Sequence, residues 1–352
     1  MDCNIVGWDI GGAHLKAAVL NQNGEVLVVY QEPCPLWQGL KSLEIALTHI
    51  IEKLPVHTSQ HAITMTGELV DLFANKAQGV TEIVAVMQRL LEQKSLVVYA
   101  GRLGFISAEL IEPGNIDDIA SANWLASAQY VAQKIEQGLF IDMGSTTTDI
   151  LLLRDNQVGV LGYTDFQRLI SSELVYTGMV RTAVMAVVQS VEFAGNKVGV
   201  MSEYFATMAD VYRLTHELNE RHDQSDAADN GAKTEQASAQ RLARMVGCDE
   251  QDFSLSHWQE LAYTIRRQQL DRIQLASQKQ LSRVEKGTKT QLIGAGVGRF
   301  LIQEMAQSLG LEYTDFNSLF KAPLHKTDMQ IADCAPAVSV AYLAREKVSM
   351  FD

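Results

Sequence analysis

The sequence predicts an α/β fold made of two halves built on one plan, and three observations carry that expectation. Gly7-Trp8-Asp9-Ile10-Gly11-Gly12 and Phe140-Ile141-Asp142-Met143-Gly144-Ser145 repeat one order: strand, Asp, apolar residue, Gly, small residue. Each is followed by a second apolar run, so each opens a β-hairpin. A third glycine turn, Gly294-Ala295-Gly296-Val297-Gly298, ends another apolar strand. Self-similarity across 352 residues marks a duplicated architecture of two ordinary-sized domains rather than one enlarged core.

The elements follow in order. Residues 4–10 read as a buried strand, broken by Gly11-Gly12 and resumed at 15–20. Asn21-Gln22-Asn23-Gly24 is a turn, and residues 25–30 form the next strand. Apolar residues at helical spacing cover 40–54, and a strand returns at 62–66. A helix over 80–91, a strand over 96–99 and a helix over 121–134 close the first half. The pattern restarts at Gly138, with strands at 139–144 and 149–153, a turn at Asp155-Asn156 and a short strand at 158–160. Residues 217–241 are rich in Asn, Asp, Ser, Ala and Gln and predict a solvated loop or frayed helical hairpin. A long amphipathic helix is expected over 258–283, a strand over 291–296, a helix over 300–309 and a Pro-initiated helix over 336–345.

Composition narrows the function classes. Hydrophobic residues are 47% and charged residues 20% of the chain, a balance that can bury sizeable cores. Against 29 Lys and Arg stand 42 Asp and Glu, a formal charge of -13, which disfavours nucleic acid and anionic membranes as partners. The four cysteines, Cys3, Cys34, Cys248 and Cys334, are scattered with no CxxC pair, which disfavours a zinc knuckle or a disulfide framework. No signal-peptide pattern and no apolar run of bilayer length are seen, so a soluble, cytoplasmic protein is expected.

Asp9-Ile10-Gly11-Gly12-Ala13-His14-Leu15-Lys16 is the first chemical candidate. Glycines at a strand-to-strand turn bring backbone N–H groups onto one anion, and Lys16 adds a point charge. In Asp142-Met143-Gly144-Ser145-Thr146-Thr147-Thr148-Asp149 a run of hydroxyl residues adds side-chain donors for phosphate oxygens. The phosphate-binding set is therefore Gly11, Gly12, His14, Lys16, Gly144, Ser145, Thr146 and Thr147, the two hairpins being read as a clamp. Asp9 and Asp142 are candidates for holding a divalent metal or for a base. Gly294, Ala295 and Gly296 offer backbone against which a nucleoside or other flat group can lie. There is no GxxxxGK[ST], and the third loop is not GxGxxG, so P-loop and dinucleotide readings fall away. Glu68 ends a strand in Thr66-Gly67-Glu68, where it can cap a helix or enter the site. Asn123-Trp124 reads as a core Trp or a ligand-stacking one, and Tyr176-Thr177-Gly178 with Arg181 can lie beside the second hairpin. His216 and His222 are six apart, unlike a metalloprotease pair, and read as surface residues.

Together, the three glycine elements resemble the first phosphate, second phosphate and adenosine loops of the superfamily of actin, heat-shock-type ATPases and sugar kinases. That resemblance implies an actin-like ATPase fold: duplicated ribonuclease-H-like domains with a central cleft. The first domain would span 1–135 and the second 136–352, with a helical insertion around 200–285. A closer likeness is to the hydantoinase/oxoprolinase-like proteins linked to tetrahydromethanopterin C1 transfer. The two Asp hairpins, Met65-Thr66-Gly67-Glu68-Leu69, Ser121-Ala122-Asn123-Trp124, Glu173-Leu174-Val175-Tyr176-Thr177-Gly178 and Gly294-Ala295-Gly296 carry it. It implies a transferase of methanofuran biosynthesis. An aminomethylfuran-methyl diphosphate is condensed with the phenol of a glutamyltyramine- or tyrosine-type acceptor, releasing diphosphate with Mg2+ as cofactor. Asp142, Asp149 or Glu68 would take the phenol proton. An ATP-dependent small-molecule kinase or an oxoprolinase-like amidohydrolase is the alternative. The partners expected are small-molecule diphosphate and phenolic amine substrates, and a homodimer is compatible with the sequence.

Overall fold

A computed structural model describes residues 4–55, 58–91, 95–285, 287–320 and 329–348. Its strands are β1 (Asn4–Ile10), β2 (His14–Leu20), β3 (Val26–Pro33), β4 (Thr58–Met65), β5 (Ser95–Tyr99), β6 (Phe105–Ser107), β7 (Gly138–Met143), β8 (Thr148–Arg154), β9 (Gln157–Val158), β10 (Leu174–Val175), β11 (Ser190–Phe193), β12 (Asn196–Gly199), β13 (Gln291–Ala295) and β14 (Glu312–Asp315). The helices are α1 (Leu40–Ile51), α2 (Lys76–Leu91), α3 (Ile116–Ile119), α4 (Asn123–Ala132), α5 (Asp165–Ser171), α6 (Val184–Val187), α7 (Met208–Leu214), α8 (Glu235–Met245), α9 (Leu255–Leu281), α10 (Arg299–Leu309) and α11 (Ala335–Val348).

Two sheets repeat one strand order. The first runs β3-β2-β1-β4-β5-β6 and the second β10-β8-β7-β13-β14, with β9 on β8. In both, the opening strand is flanked by its hairpin partner and by a strand reached through intervening helices. This is the duplicated ribonuclease-H-type α/β plan that the repeated Asp hairpins predict. Asp155 and Asn156 both have positive φ (55° and 58°), as a tight two-residue hairpin turn with right-handed strand twist requires.

Contacts divide the chain into two compact units, one of residues 1–140, 151–170 and 314–352, the other of 141–150 and 171–313. The chain therefore crosses between them more than once, and α11 belongs to the first unit although it comes last in sequence.

In the first unit, alternation along β1 sorts residues to two faces. Val6, Trp8 and Ile10 bury against Leu43, Leu47 and Ile50 of α1 and Val80, Ile83 and Met87 of α2. The opposite face carries Gly7 and Asp9. A Cβ on Gly7 would lie 2.0 Å from the Ala337 carbonyl oxygen and 2.7 Å from the Ala341 nitrogen, so α11 rides directly on the backbone of β1. The chain's C-terminal part is tied in by an aromatic cluster in which Tyr130 stacks on Phe320 at 4.5 Å and meets Tyr342 edge-on at 4.7 Å.

In the second unit, the segment expected as a solvated loop or frayed helical hairpin over 217–241 is largely irregular up to residue 234, with residues 229–234 exposed, and α8 begins at Glu235; buried arginines pin it. Arg241 is fully buried on α8 and donates to Asp210 (2.8 Å), Asp229 (3.0 Å) and the Ala232 carbonyl. Arg213 donates to Glu220 and Asp223, and Ser238 links Arg213 to Asp210. Two arginines thus organise a polar segment that lacks the apolar residues to organise itself. His222, expected at the surface, is 9% exposed, whereas the His216 side chain is 59% exposed.

Of the cysteines, Cys34 is buried, and burial pushes its thiol up to about 12, which removes it as a nucleophile. Cys3 lies outside the described residues. Among the described residues, no helix is long and apolar enough to cross a membrane.

Candidate active site

The two Asp-Gly hairpins close identically. The Gly11 N–H donates to the His14 carbonyl (3.0 Å) and the Gly144 N–H to the Thr147 carbonyl (2.9 Å). The carbonyl just after each Asp is then bound by the chain that follows the fourth strand of its sheet. Ile10 accepts from Thr66 (3.0 Å) and Met143 from Gly298 (2.9 Å). The duplication therefore extends from the residue pattern to individual backbone hydrogen bonds.

In the first unit, Asp9 stands opposite Lys16 on β2 and Thr64 on β4. It is 6% exposed and accepts a 3.2 Å hydrogen bond from Asn123 at the start of α4. Lys16 donates to the Asp333 carbonyl at 2.7 Å, so one of its ammonium protons ties the hairpin to the turn before α11. His14 opens β2 and is 8% exposed. The next turn, Thr66-Gly67-Glu68, presses on this hairpin, because a Cβ on Gly67 would lie 3.1 Å from the Ile10 carbonyl oxygen. Glu68 follows directly, its Cβ packed where a Cβ on Gly79 of α2 would lie only 2.7 Å away.

Glu68 is 2% exposed, and no side chain donates to either carboxyl oxygen. The backbone N–H groups of Glu68 and Ser121 face the carboxyl and oppose the rise in its pKa. Burial, followed by the negative charge of Asp165, pushes its pKa up to about 7. Trp124 is buried, and the Arg168 guanidinium lies 4.1 Å above its ring. The Trp is thus a core residue with a cationic neighbour. Asp165 and Arg168 were missed at the sequence level because α5 is far from Glu68 along the chain and carries no motif. A carboxylate three residues before an arginine was the only signal.

This yields a stability prediction. A carboxyl whose folded pKa exceeds its ordinary 4.5 makes the native state bind more protons than the unfolded chain between those values. Stability is then fully present below about pH 4.5 and declines as pH rises to 7, by roughly 3 kcal/mol for a shift of this size. Glu68→Gln mimics the protonated form. Its thermal midpoint should match the parent at pH 5 and exceed it by about 6 °C at pH 8. Parallel curves across that range would show that Glu68 is charged at neutral pH.

In the second unit, Asp142 is the penultimate residue of β7 and is 9% exposed. Gly296 has φ 77°, and a Cβ there would lie 2.4 Å from Asp142 Oδ1 and 2.3 Å from the Met143 carbonyl oxygen. Only glycine fits that close approach with that backbone. Gly294 makes similar room for Tyr313, and Ala295 is fully buried, so the third glycine loop is packed on the strand end that carries Asp142. The Ser145-Thr146-Thr147 loop is clasped by the segment after β10. Met179 donates to the Gly144 carbonyl, and Val180 and Arg181 both donate to the Ser145 carbonyl. Thr182 donates to the Thr146 carbonyl, and the Arg181 guanidinium stands 3.5 Å from Thr146 Oγ1. Gln269 of α9 fixes the clasp through Thr177 and Gly178. The structure therefore brings Arg181 to the second hairpin, while Tyr176 points outward at 59% exposure. Ser145 Oγ is buried with no hydrogen-bond partner. Asp149 is half-buried on β8, opposite Leu174. No group of three or more His, Cys, Asp or Glu forms a metal cluster among the described residues.

A family model described as hydantoinase/oxoprolinase matches residues 59–322. The chain belongs to the hydantoinase/oxoprolinase family. The matched stretch contains Glu68, Asn123, Trp124, the second hairpin and the third glycine loop, and the first hairpin lies before it. Two relatives are each named (4-{4-[2-(gamma-L-glutamylamino)ethyl]phenoxymethyl}furan-2-yl)methanamine synthase. That of Methanocaldococcus jannaschii is 31% identical over 252 residues, covering 71% of this chain and 74% of the relative. That of Methanococcus vannielii is 26% identical over 223 residues, covering 63% and 97%. A nucleotide-free acetone carboxylase structure, 9% identical, superposes with a TM-score of 0.60 over 97% of this chain and 70% of its own, a likeness of fold alone.

Proposed function

We propose that this family member is a biosynthetic transferase that condenses a furan-methyl diphosphate bearing an aminomethyl group with the phenol of a tyramine-type acceptor. The observation that carries the reading is the 31% identity to a synthase named for a product that contains that aryl furan-methyl ether. The phenol oxygen forms the new C–O bond to the furan methylene carbon as the bond from that carbon to the diphosphate oxygen breaks. The bonding pair leaves with diphosphate, and the phenolic proton passes to a carboxylate. A furan ring stabilises positive charge at its methylene, so catalysis consists mainly of stabilising the leaving group's charge and holding the acceptor oxygen close.

The chain supplies groups for both tasks. Backbone amides of glycine hairpins and the hydroxyls of Ser145, Thr146 and Thr147 suit diphosphate oxygens, with Arg181 adding positive charge to the second hairpin. Asp9 and Asp142 are oxygen donors at strand ends, the chemistry that Mg2+ prefers, and Mg2+ would neutralise charge on the departing diphosphate. Glu68 is favoured over Asp149 as proton acceptor, because a carboxyl held near pH 7 is matched to general-base work at neutral pH.

The test is condensation with purified protein, Mg2+, furan-methyl diphosphate and tyramine, without nucleotide, following ether and diphosphate. Product should form, and Asp142→Ala should lower kcat/KM at least about 100-fold, the scale of losing one charge-stabilising group. No ether, combined with ATP turnover stimulated by a small metabolite, would move the protein to a kinase or ATP-dependent amidohydrolase.

A further inference from the structure

We infer that Asp165 and Ser121 are positioning residues for Glu68, holding its carboxyl as the proton acceptor for the phenolic substrate; the inference rests on the condensation reading. Ser121 is 6% exposed and sits at φ 53°, a left-handed conformation uncommon for a residue with a side chain. That bend lets one residue face two carboxyls. Its backbone N–H leans on Glu68, and its hydroxyl donates to Asp165 Oδ1 at 2.9 Å. Asp165 is itself anchored, with Arg168 Nη1 3.7 Å away and the same guanidinium lying over Trp124.

The charged groups around Glu68 come from two elements. Asp165, with Arg168 behind it, belongs to α5, and Lys76 opens α2. A structural carboxyl in such a place would be expected to take a donor from the protein, since buried polar atoms are nearly always paired. Here no side chain donates to either Glu68 oxygen, only the backbone N–H groups of Glu68 and Ser121 face the carboxyl, and the charged side chains that act on it are Asp165 and, more weakly, Lys76. An arrangement that keeps a buried carboxyl without a side-chain donor, beside a like charge and at the cost of a bent backbone, is the kind found where proton transfer is needed.

The experiment compares the parent with Asp165→Asn, which keeps an acceptor for Ser121 but removes the charge. Two profiles are recorded: kcat/KM against pH, and thermal midpoint against pH without substrate. The acid limb of kcat/KM and the Glu68 titration seen in the midpoint should both move down by about one pH unit. In a Glu68→Gln background the same substitution should leave the midpoint profile unmoved. An unchanged acid limb and titration, with only a uniformly lower midpoint, would make Asp165 a packing residue and overturn the inference. A titration that moves while no variant forms ether would overturn the role toward a phenol and leave the Asp165–Glu68 coupling standing.

Discussion

Gly7→Ala should leave little folded protein at 37 °C. The added carbon would sit 2.0 Å from the Ala337 carbonyl oxygen and 2.8 Å from Ala341 Cβ. The oxygen belongs to helix backbone, which cannot swing aside as a flexible side chain can. Relief requires α11 to lift from β1, and with it the face of the sheet where Asp9 meets Asn123. Overpacking of this kind costs about 1–3 kcal/mol where side chains can adjust, and more where backbone must move. A loss of about 4 kcal/mol or more is expected, read as a thermal midpoint lowered by at least roughly 10 °C or as insoluble expression. A drop under 5 °C would mean that α11 is held more loosely than this packing indicates.

The second large effect is expected at a residue with no part in the proposed chemistry. Arg241→Met removes a fully buried cation and leaves Asp210 and the Ala232 carbonyl short of donors. Breaking a buried pair from one side typically costs about 3–5 kcal/mol, and the low end is expected because Asp210 keeps Ser238 and the Arg213 guanidinium 3.6 Å away. Denaturant unfolding should show that loss. Arg241→Met combined with Asp210→Leu should cost less than the sum of the two single changes, since both residues belong to one hydrogen-bond network. If the double variant is destabilised by the sum of the two single changes, the two residues act independently. High salt should not reproduce the effect, because screening barely reaches a buried pair.

These two residues show opposite relations between sequence and structure. The importance of Gly7 was partly legible, because it lies in the repeated strand that starts each half. That of Arg241 was not, because a stretch rich in Asp, Ser and Gln reads as solvated until an arginine from one helix is seen to gather its carboxylates. Local composition reports the cost of burying a group, whereas the compensating partners are non-local.

The sequence by itself determined the duplicated α/β plan, the two Asp-Gly hairpins and most strand and helix positions. Periodicity and turn chemistry are properties of neighbouring residues and survive without tertiary context. It also singled out Glu68 and the Ser121-Ala122-Asn123-Trp124 segment. Only the tertiary structure decided what those residues do to one another. It laid the third glycine loop onto Asp142, returned α5 to the first unit beside Glu68, and left that carboxyl buried without a side-chain donor. Burial and charge pairing depend on distance in space, and a carboxyl's proton affinity is set by whichever distant segment arrives next to it.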